Sequence, residues 1–410
     1  MSAHVALPTT AESTMPEGHS WRKIPPVAIV AGLIAVGVGF ALDGSEHHKQ
    51  FWFSYLVAWL YAASIGLGAL FFTLVQHAGR AGWSVVVRRT AENLAGTLPV
   101  IGLFFLPVLF LGGHELYHHW MDAELVSQDA ILQAKSGYLN EGFWIGRGIF
   151  FLLTWAALGW YFRSQSIKQD TMDGSAADRE EHSRKLERRS GPAIALFALT
   201  ITFGAIDWMM SLDPHWYSTM WGVYYFAGSF MAALALLGAL HIVMQRVGLV
   251  NRVINDEHYH DLGKLTFAFT VFWTYIAFSQ YFLIWYANIP EETSWYTHRM
   301  GNSWEMVGIA IMIGHFLVPF AFLMPRTIKR IRGTLMLGCL WMLFMHFVDL
   351  HYMVMPAMHH HGVHFTATDA LTWFGMVAVL MGLFVWNSKG AALIPIQDPR
   401  LKESVEFVNV

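Results

Sequence analysis

Residues 51–75 read FWFSYLVAWLYAASIGLGALFFTLV and contain no Asp, Glu, Lys or Arg. A helix needs about 20 apolar residues to cross the roughly 30 Å hydrocarbon core of a bilayer, so this stretch is long enough to span a membrane. Similar stretches occur on both sides of it. Together they predict an all-α integral membrane protein with ten transmembrane helices, over residues 25–42, 51–75, 94–113, 142–163, 191–212, 217–245, 262–288, 302–324, 333–354 and 366–387.

The composition agrees with a membrane protein and excludes several other classes. Hydrophobic residues make up 55% of the 410 residues and charged residues 13%, with a mean hydropathy of +0.40. Soluble domains usually carry about 25% charged residues. The net charge of −3 argues against a nucleic-acid partner. Because Cys339 is the only cysteine, the chain alone cannot form a disulfide, an iron–sulfur site or a covalent haem attachment.

Basic residues are concentrated in alternate predicted loops. Nearly all of the 26 Lys and Arg residues fall in the N-terminal segment, the even-numbered connections and the C-terminal tail. The positive-inside rule places these regions, and therefore both chain ends, in the cytoplasm. The expected organisation is a polar N-terminal segment 1–24, a membrane domain 25–388 with outer loop 114–141 and inner loop 164–190, and a cytoplasmic tail 389–410. The inner loop is dense in charge and is expected to be solvated, with helical pieces.

Ionisable residues inside the spans are the main candidates for function, because a charge in hydrocarbon costs at least about 2.5–3.5 kcal/mol. Asp207 lies in the fifth span, and His346 and Asp349 are i, i+3 neighbours in the ninth. Glu305 and His315 lie at the outer entrance and near the middle of the eighth span, roughly on one side of the helix. A carboxylic acid near a histidine makes a proton relay physically feasible.

A structural ion pair is the alternative explanation for these residues. Arg147, in the fourth span, has a similar depth and could neutralise Asp207, Asp349 or Glu305. Such a pair would hold helices in register without moving a proton. The residues alone leave both explanations open.

Further polar residues extend the candidate proton pathway towards the cytoplasm. His77 and His241 each lie near a cytoplasmic helix end, where an imidazole could serve a pathway or simply reach headgroups and water. The lysine of the seventh span lies at the cytoplasmic end of a polar stripe. This stripe consists of Lys264, Thr266, Thr270, Thr274, Tyr281 and Asn288.

Metal and haem sites are weaker hypotheses. Three consecutive histidines, His359–His361, could bind a metal, although polar loop residues are the simpler explanation. A transmembrane haem would need two facing histidines at matched depth, and His315 with His346 would be the candidate pair. We therefore expect no metal or haem site in this chain.

Two strings resemble a known family. One is IDWMMSLDPHWYST at residues 206–219, and the other is DLGK at 261–264 followed by QYFLIWYANIPEE at 280–292. Together they resemble the F subunit of bacterial alternative complex III, a quinol:cytochrome c (or high-potential protein) oxidoreductase. That subunit is similar to the C subunit of the same complex and to the NrfD-like membrane anchors of polysulfide reductase.

This resemblance implies an architecture, a location and partners. Spans two to five and six to nine would form two four-helix bundles, with two flanking helices, in the bacterial cytoplasmic membrane. The implied partners are the homologous C-type subunit, an iron–sulfur subunit, haem c subunits, membrane lipid and, as a further candidate, a terminal oxidase. Quinol, haem c and iron–sulfur clusters would be bound by those partners. Asp207 and Lys264 lie within the matching strings.

Three functions follow as hypotheses. The leading one is a cofactor-free accessory subunit that provides a transmembrane proton pathway and supports the homologous quinol-binding subunit, as the resemblance implies for the F subunit. In the second, the chain itself binds and oxidises quinol through the acids and histidines of its outer half. The third is a purely architectural subunit or a stand-alone transporter.

Overall fold

The computed structural model describes residues 7–250 and 253–409, so residues 1–6 of the predicted N-terminal segment and residue 410 of the tail lie outside it. The described chain is all-helical and contains ten helices long and apolar enough to cross a membrane, which confirms the predicted number. They are α1 Ser20–Leu42, α2 Glu46–Ala78, α3 Val85–Leu116, α4 Glu141–Asp170, α5 Ala176–Leu212, α6 Trp221–Arg246, α7 Asp256–Ala287, α8 Ser303–Leu323, α9 Arg332–Ala357 and α10 Ala367–Lys389.

Segments near the two chain ends meet at one face of the molecule. The backbone N–H of Leu393 donates to the carbonyl of Ser13 at 2.7 Å. A chain that crosses a membrane an even number of times has both of its ends on the same side. The face that holds residues 8–19 and 390–409 is called the inner face below, and the opposite face is called the outer face.

The helices α4 and α5 extend beyond the predicted spans, so the predicted inner loop 164–190 is mostly helical. Only residues 171–175 separate them. A capping box begins α5: the backbone N–H of Ser175 donates to the Asp178 carboxylate at 2.8 Å, and the N–H of Asp178 donates to the Ser175 hydroxyl at 3.3 Å. Glu, Lys and Arg are good helix formers. Hydropathy therefore located the apolar part of each helix and not its polar end.

Helices α2 and α6 form the centre of the fold. In its most apolar window, α2 is 94% buried and α6 is 83% buried, whereas α1 is 17% buried. Helix α2 packs against α3, α5, α6, α9 and α10, and α6 packs against α5, α7 and α9 as well. Gly68 permits the central contact, since a Cβ there would lie 2.3 Å from the Ser229 carbonyl oxygen of α6. Small residues of this kind let membrane helices approach closely.

Two spanning helices contain π-helical turns, at Val108–Gly112 in α3 and at Met312–Leu317 in α8. A π turn is wider than an α turn and changes the direction of the side chains around it. In α8 the π turn contains His315, which is fully buried, whereas Glu305 in the first turn of the helix is exposed. Their difference in exposure reflects their positions along the helix, and the shared side predicted for them stays a prediction.

Short helices cover the outer ends of the spanning helices. Tyr117, just before the first of these helices, and Trp120 within it anchor the outer end of α5. Tyr117 donates its hydroxyl to the Trp208 carbonyl at 2.9 Å, and Trp120 donates its indole N–H to the Ser211 carbonyl at 3.0 Å. Burial raises the pKa of the Tyr117 hydroxyl well above its usual value, so it remains a donor. These helices are His118–Met121, Ala123–Gln128, Ala130–Lys135 and, between α7 and α8, Pro290–Thr297.

Candidate functional site

Asp349 is a buried acid in the outer half of α9. Its Oδ1 accepts a hydrogen bond from the Tyr224 hydroxyl at 2.5 Å, and its Oδ2 accepts one from the Trp273 indole at 3.2 Å. In the described parts of the chain, no Lys, Arg or His nitrogen lies within salt-bridge distance of this carboxyl. Two neutral donors compensate only part of the cost of a buried negative charge. The carboxyl is therefore suited to hold a proton and to exchange it.

His346 lies one turn from Asp349 on α9 and contacts α2. Its Nε2 is 2.8 Å from the hydroxyl oxygen of Ser64, and that hydroxyl donates to the Tyr61 carbonyl at 2.7 Å. Because the serine proton is already used, the Nε2–H of His346 must be the donor to Ser64. Its Nδ1 is then a free acceptor, and it has no hydrogen-bond partner among the described residues.

His315 completes the cluster from the π turn of α8. Its ring centroid is 4.0 Å from that of Trp273, and neither of its nitrogens finds a hydrogen-bond partner in residues 7–250 or 253–409. A Cβ on Gly228 of α6 would lie 3.1 Å from His346 and 3.6 Å from Trp273. The structure thus brings together three predicted site residues, His315, His346 and Asp349, around a tryptophan that the sequence reasoning missed.

A cleft of about 770 Å³ lies next to this cluster, between α7, α8 and the short helix Pro290–Thr297. Tyr224 and Trp273, the two donors to Asp349, form part of its wall. Its mouth carries exposed apolar residues, including Phe278 and Met312, so it opens towards the lipid-facing surface. Pockets for small molecules are typically about 300–1,000 Å³, mostly apolar, with a few placed polar groups. This cleft has that character.

Arg299 supplies a buried positive charge to the cleft. Its guanidinium lies 3.5 Å from the Trp295 ring centroid and donates to the Trp295 carbonyl at 2.7 Å. Among the described residues it has no carboxylate within 4 Å. Burial lowers the pKa of Arg299 to about 10, so it stays cationic near neutral pH. Glu305 also lines the cleft, but it is exposed and accepts from the Gly301 N–H at 2.9 Å.

Asp207 is paired with Arg147, the charge partner considered from the sequence. The Nε of Arg147 donates to Oδ2 at 2.7 Å, and its Nη2 donates to Oδ1 at 3.1 Å. The guanidinium also donates to the Tyr138 carbonyl at 2.9 Å and lies over the rings of Tyr138 and Phe143. A two-point ion pair of this kind fixes α4 against α5. The geometry favours a structural role for Asp207.

The residues of the predicted polar stripe of α7 lie in different surroundings. Lys264 is half exposed and pairs with Asp261 at 2.9 Å near the inner face, away from the buried cluster. Thr274 and Tyr281 line the cleft. Only Thr270 of the named candidates, with Thr266 one turn away, faces the buried interior below Trp273. The members of the stripe therefore lie in different surroundings, namely solvent, cleft and core, and their role in one pathway stays a prediction.

His241 lies in the inner half of α6, far from the outer cluster. Its Nδ1 is 2.7 Å from the Leu237 carbonyl, and its Nε2 is 2.9 Å from the Thr90 hydroxyl. A carbonyl only accepts, so Nδ1 carries the proton and Nε2 accepts from threonine. Thirteen residues separate His241 from Gly228 on the same helix, which is about 20 Å. The described side chains do not bridge this distance by hydrogen bonds alone.

His77 belongs to a charged cluster that the sequence reasoning missed. Its Nε2 is 3.8 Å from Glu92, which is fully buried between two arginines. Arg88 Nε donates to Oε1 of Glu92 at 3.1 Å, and Arg89 Nε donates to Oε2 at 2.8 Å. The signal was the i, i+3 and i, i+4 spacing of these arginines from Glu92. Because the predicted third span begins at residue 94, hydropathy places these arginines in a basic loop.

The outer histidines do not form a metal site within the described residues, where no group of three metal-ligating side chains converges. His359 instead places its Nε2 2.6 Å from the amide oxygen of Gln50. Burial, and then the neighbouring His364, lower the pKa of His359. At this position the histidine acts as a packed, hydrogen-bonded loop residue.

Comparisons with known proteins identify no family for this chain. No protein-family model matches the chain, and no curated protein matches it.

Proposed function

We propose that this chain is a membrane subunit of a respiratory quinol:electron-acceptor oxidoreductase and transfers protons through Asp349. The expectation of such a complex comes from the two strings that resemble the F subunit of alternative complex III. The observation that carries the proton-transfer role is the environment of Asp349: a buried carboxyl held by two neutral donors, both of which line a cleft open to the membrane.

The resemblance supplies the rest of the proposal. The chain would be an accessory subunit without a cofactor of its own, in a bacterial cytoplasmic membrane with both ends cytoplasmic. Its partners would be a homologous C-type subunit, an iron–sulfur subunit and haem c subunits. Helix contacts support two four-helix bundles. In the first, α2 packs on α3 and α5, and α4 contacts both α3 and α5. In the second, α6 packs on α7 and α9, and α8 contacts both α7 and α9.

The path inward from Asp349 would follow the buried face of α7. Thr270 and Thr266 lie one and two turns below Trp273, and each donates its hydroxyl to a carbonyl one turn back, which leaves its oxygen able to accept. Tyr259 lies two turns further and donates to Gln245 at 2.8 Å. Gln245 and His241 are i, i+4 neighbours on α6. Water molecules between these groups would complete the transfer.

The test is Asp349→Asn in membrane vesicles that contain the purified complex. The amide keeps the shape and the hydrogen-bond acceptor but cannot bind the proton, so proton translocation per electron should fall while quinol oxidation continues. Asp369→Asn is the matched control, since Asp369 is equally buried but is held by Gln50 and Ser54 away from the cleft. An unchanged proton-to-electron ratio in Asp349→Asn would reject the proposal.

A second function, quinol binding by this chain itself, is favoured by the cleft. A quinone head has two carbonyl oxygens, and the cleft offers Arg299 as a cationic donor together with Tyr296, which accepts from Gln280 at 3.2 Å. Gly308→Leu would fill the cleft beside Tyr352. It should abolish cross-linking by a photoreactive quinone, whereas Gly191→Leu, at a site with open space around it, should not. Equal cross-linking in both variants would exclude a quinone from the cleft.

A further inference from the structure

We infer that His77 is the group through which protons enter this chain at the inner face, and that the C-terminal segment 390–409 forms the entrance. This inference rests on the proposed proton transfer but concerns the opposite end of the molecule from Asp349. It uses a separate cavity and a separate set of side chains.

Two neighbouring residues with unpartnered polar atoms line one small cavity at the inner end of α2. The Nε2 of His77 and the Oε1 of Gln76 have no hydrogen-bond partner among the described residues, and both side chains are over nine-tenths buried. Both residues line a cavity of about 30 Å³, which is room for about one water molecule. A water there would have the imidazole and the amide as partners. Such a water would connect the solvent to a histidine that lies inside the protein.

Glu92 lies next to His77 and supplies a negative charge that favours the protonated imidazole. The 3.8 Å between His77 Nε2 and Glu92 Oε1 exceeds hydrogen-bond distance but allows a small reorientation to join them. Arg88 and Arg89 hold the two carboxylate oxygens and cannot themselves release a proton. Histidine is the side chain whose charge changes near neutral pH. In this cluster, His77 is thus the member best suited to load and release a proton.

The C-terminal segment is fixed over the cluster by specific contacts. Asp398 accepts from Arg88 Nη2 at 2.6 Å, and the Ala392 carbonyl accepts from Arg89 Nη1 at 2.8 Å. Ser404 is fully buried, donates its hydroxyl to the Trp83 carbonyl at 2.6 Å and accepts from the Val86 N–H at 3.2 Å. These contacts hold the segment against the first turn of α3, beside the cavity.

The entrance lies between this segment and the helices α2 and α5. Charged side chains of both signs surround it, so an arriving proton meets no barrier of uniform positive charge. The charged groups that line the cavity or neighbour His77 are Arg80, Arg88, Glu92, Glu180, Asp398 and Arg400. Ser183 of α5 also lines the cavity and provides an uncharged position for a probe.

The only native cysteine, Cys339, is buried, so a thiol introduced at the entrance can be labelled selectively. Ser183→Cys, modified from the inner face with a bulky membrane-impermeant methanethiosulfonate, should slow proton uptake at least ten-fold while quinol oxidation continues. Lys185→Cys is the matched control, because it is exposed on the same helix and is not part of the cavity. Proton uptake unchanged by verified labelling at position 183 would overturn the inference.

A second experiment separates proton entry from a structural role of the histidine. His77→Ala should slow proton uptake, and free imidazole in the inner-side buffer should restore it, which a packing defect would not allow. Absence of rescue in a folded variant would overturn the role of His77. If Asp349→Asn has no effect while the entrance variants do, the proposed role of Asp349 fails and the entrance stands. The reverse pattern rejects the entrance alone.

Discussion

Replacing Asp207 by Asn removes the negative partner of a buried guanidinium without changing the shape of the side chain. In the parent protein, Arg147 makes two hydrogen bonds to this carboxylate, at 2.7 and 3.1 Å, and its side chain is only 9% exposed. Breaking a buried ion pair by removing one partner costs about 3–5 kcal/mol. The folding equilibrium should therefore shift towards the unfolded state by about a hundred-fold to a few thousand-fold.

The assay is unfolding of the purified chain in mixed micelles with increasing sodium dodecyl sulfate, followed by tryptophan fluorescence. Glu181→Gln is the matched control, since the Glu181–Arg188 pair has a similar distance of 2.6 Å but lies on the surface. Exposed pairs are worth about 0–1 kcal/mol, so this control should unfold close to the parent. The double variant Arg147→Met/Asp207→Leu removes both charges and should be more stable than Asp207→Asn.

The result that refutes this reasoning is an Asp207→Asn variant that unfolds at the same detergent fraction as the parent. The ion pair would then contribute nothing to stability. Asp207 would again be available for the proton pathway that the sequence suggested, and proton translocation by the same variant would decide its role.

Two further predictions concern the loops and the helix contacts. Burial and His364 hold the pKa of His359 below its usual 6.5, so the folded chain binds a proton at this imidazole more weakly than the unfolded chain does. The free energy of unfolding should therefore fall as the pH drops below about 6.5. His359→Gln should reduce that fall in unfolding titrations at pH 5 and 7.5, and an identical pH dependence would contradict it. Gly68→Ala should cost about 1–3 kcal/mol, because its Cβ would lie 2.3 Å from the Ser229 carbonyl. Gly37→Ala, which meets nothing within 4 Å, should be neutral or slightly stabilising in the same detergent unfolding, and equal behaviour of the two variants would refute the packing argument.

Part of the candidate site could be predicted because an ionisable residue inside a long apolar stretch can be recognised from the sequence. Asp349, His346 and His315 were found by this criterion, and the structure places them together. Tyr224 and Trp273 could not be found, since aromatic residues are common along these spans and nothing local marks the two that face an acid. Glu92 was missed for a different reason. Hydropathy excluded it from the third span, although the helix continues through it.

The polar stripe of α7 shows the limit of periodicity. Helical spacing placed Lys264, Thr270, Thr274 and Tyr281 near one another, but neighbouring helices decide whether such a residue faces solvent, cleft or core. Their actual surroundings differ: Lys264 pairs with Asp261 near the inner face, Thr270 is fully buried, and Thr274 and Tyr281 line the cleft. A stripe some 25 residues long is therefore divided among environments that spacing alone cannot distinguish.

The sequence by itself determined the ten helices and the meeting of both ends at one face. The reason is that the bilayer thickness sets a minimum length for an apolar helix, and each stretch of the sequence can be compared with that length without knowing its neighbours. Only the tertiary structure decided which buried acid has a cation beside it. Asp207 meets Arg147 from 60 residues away, whereas Asp349 meets Tyr224 and Trp273 from 125 and 76 residues away. Such contacts depend on how the helices rotate and pack, and a charge in a low-dielectric interior is controlled by those neighbours.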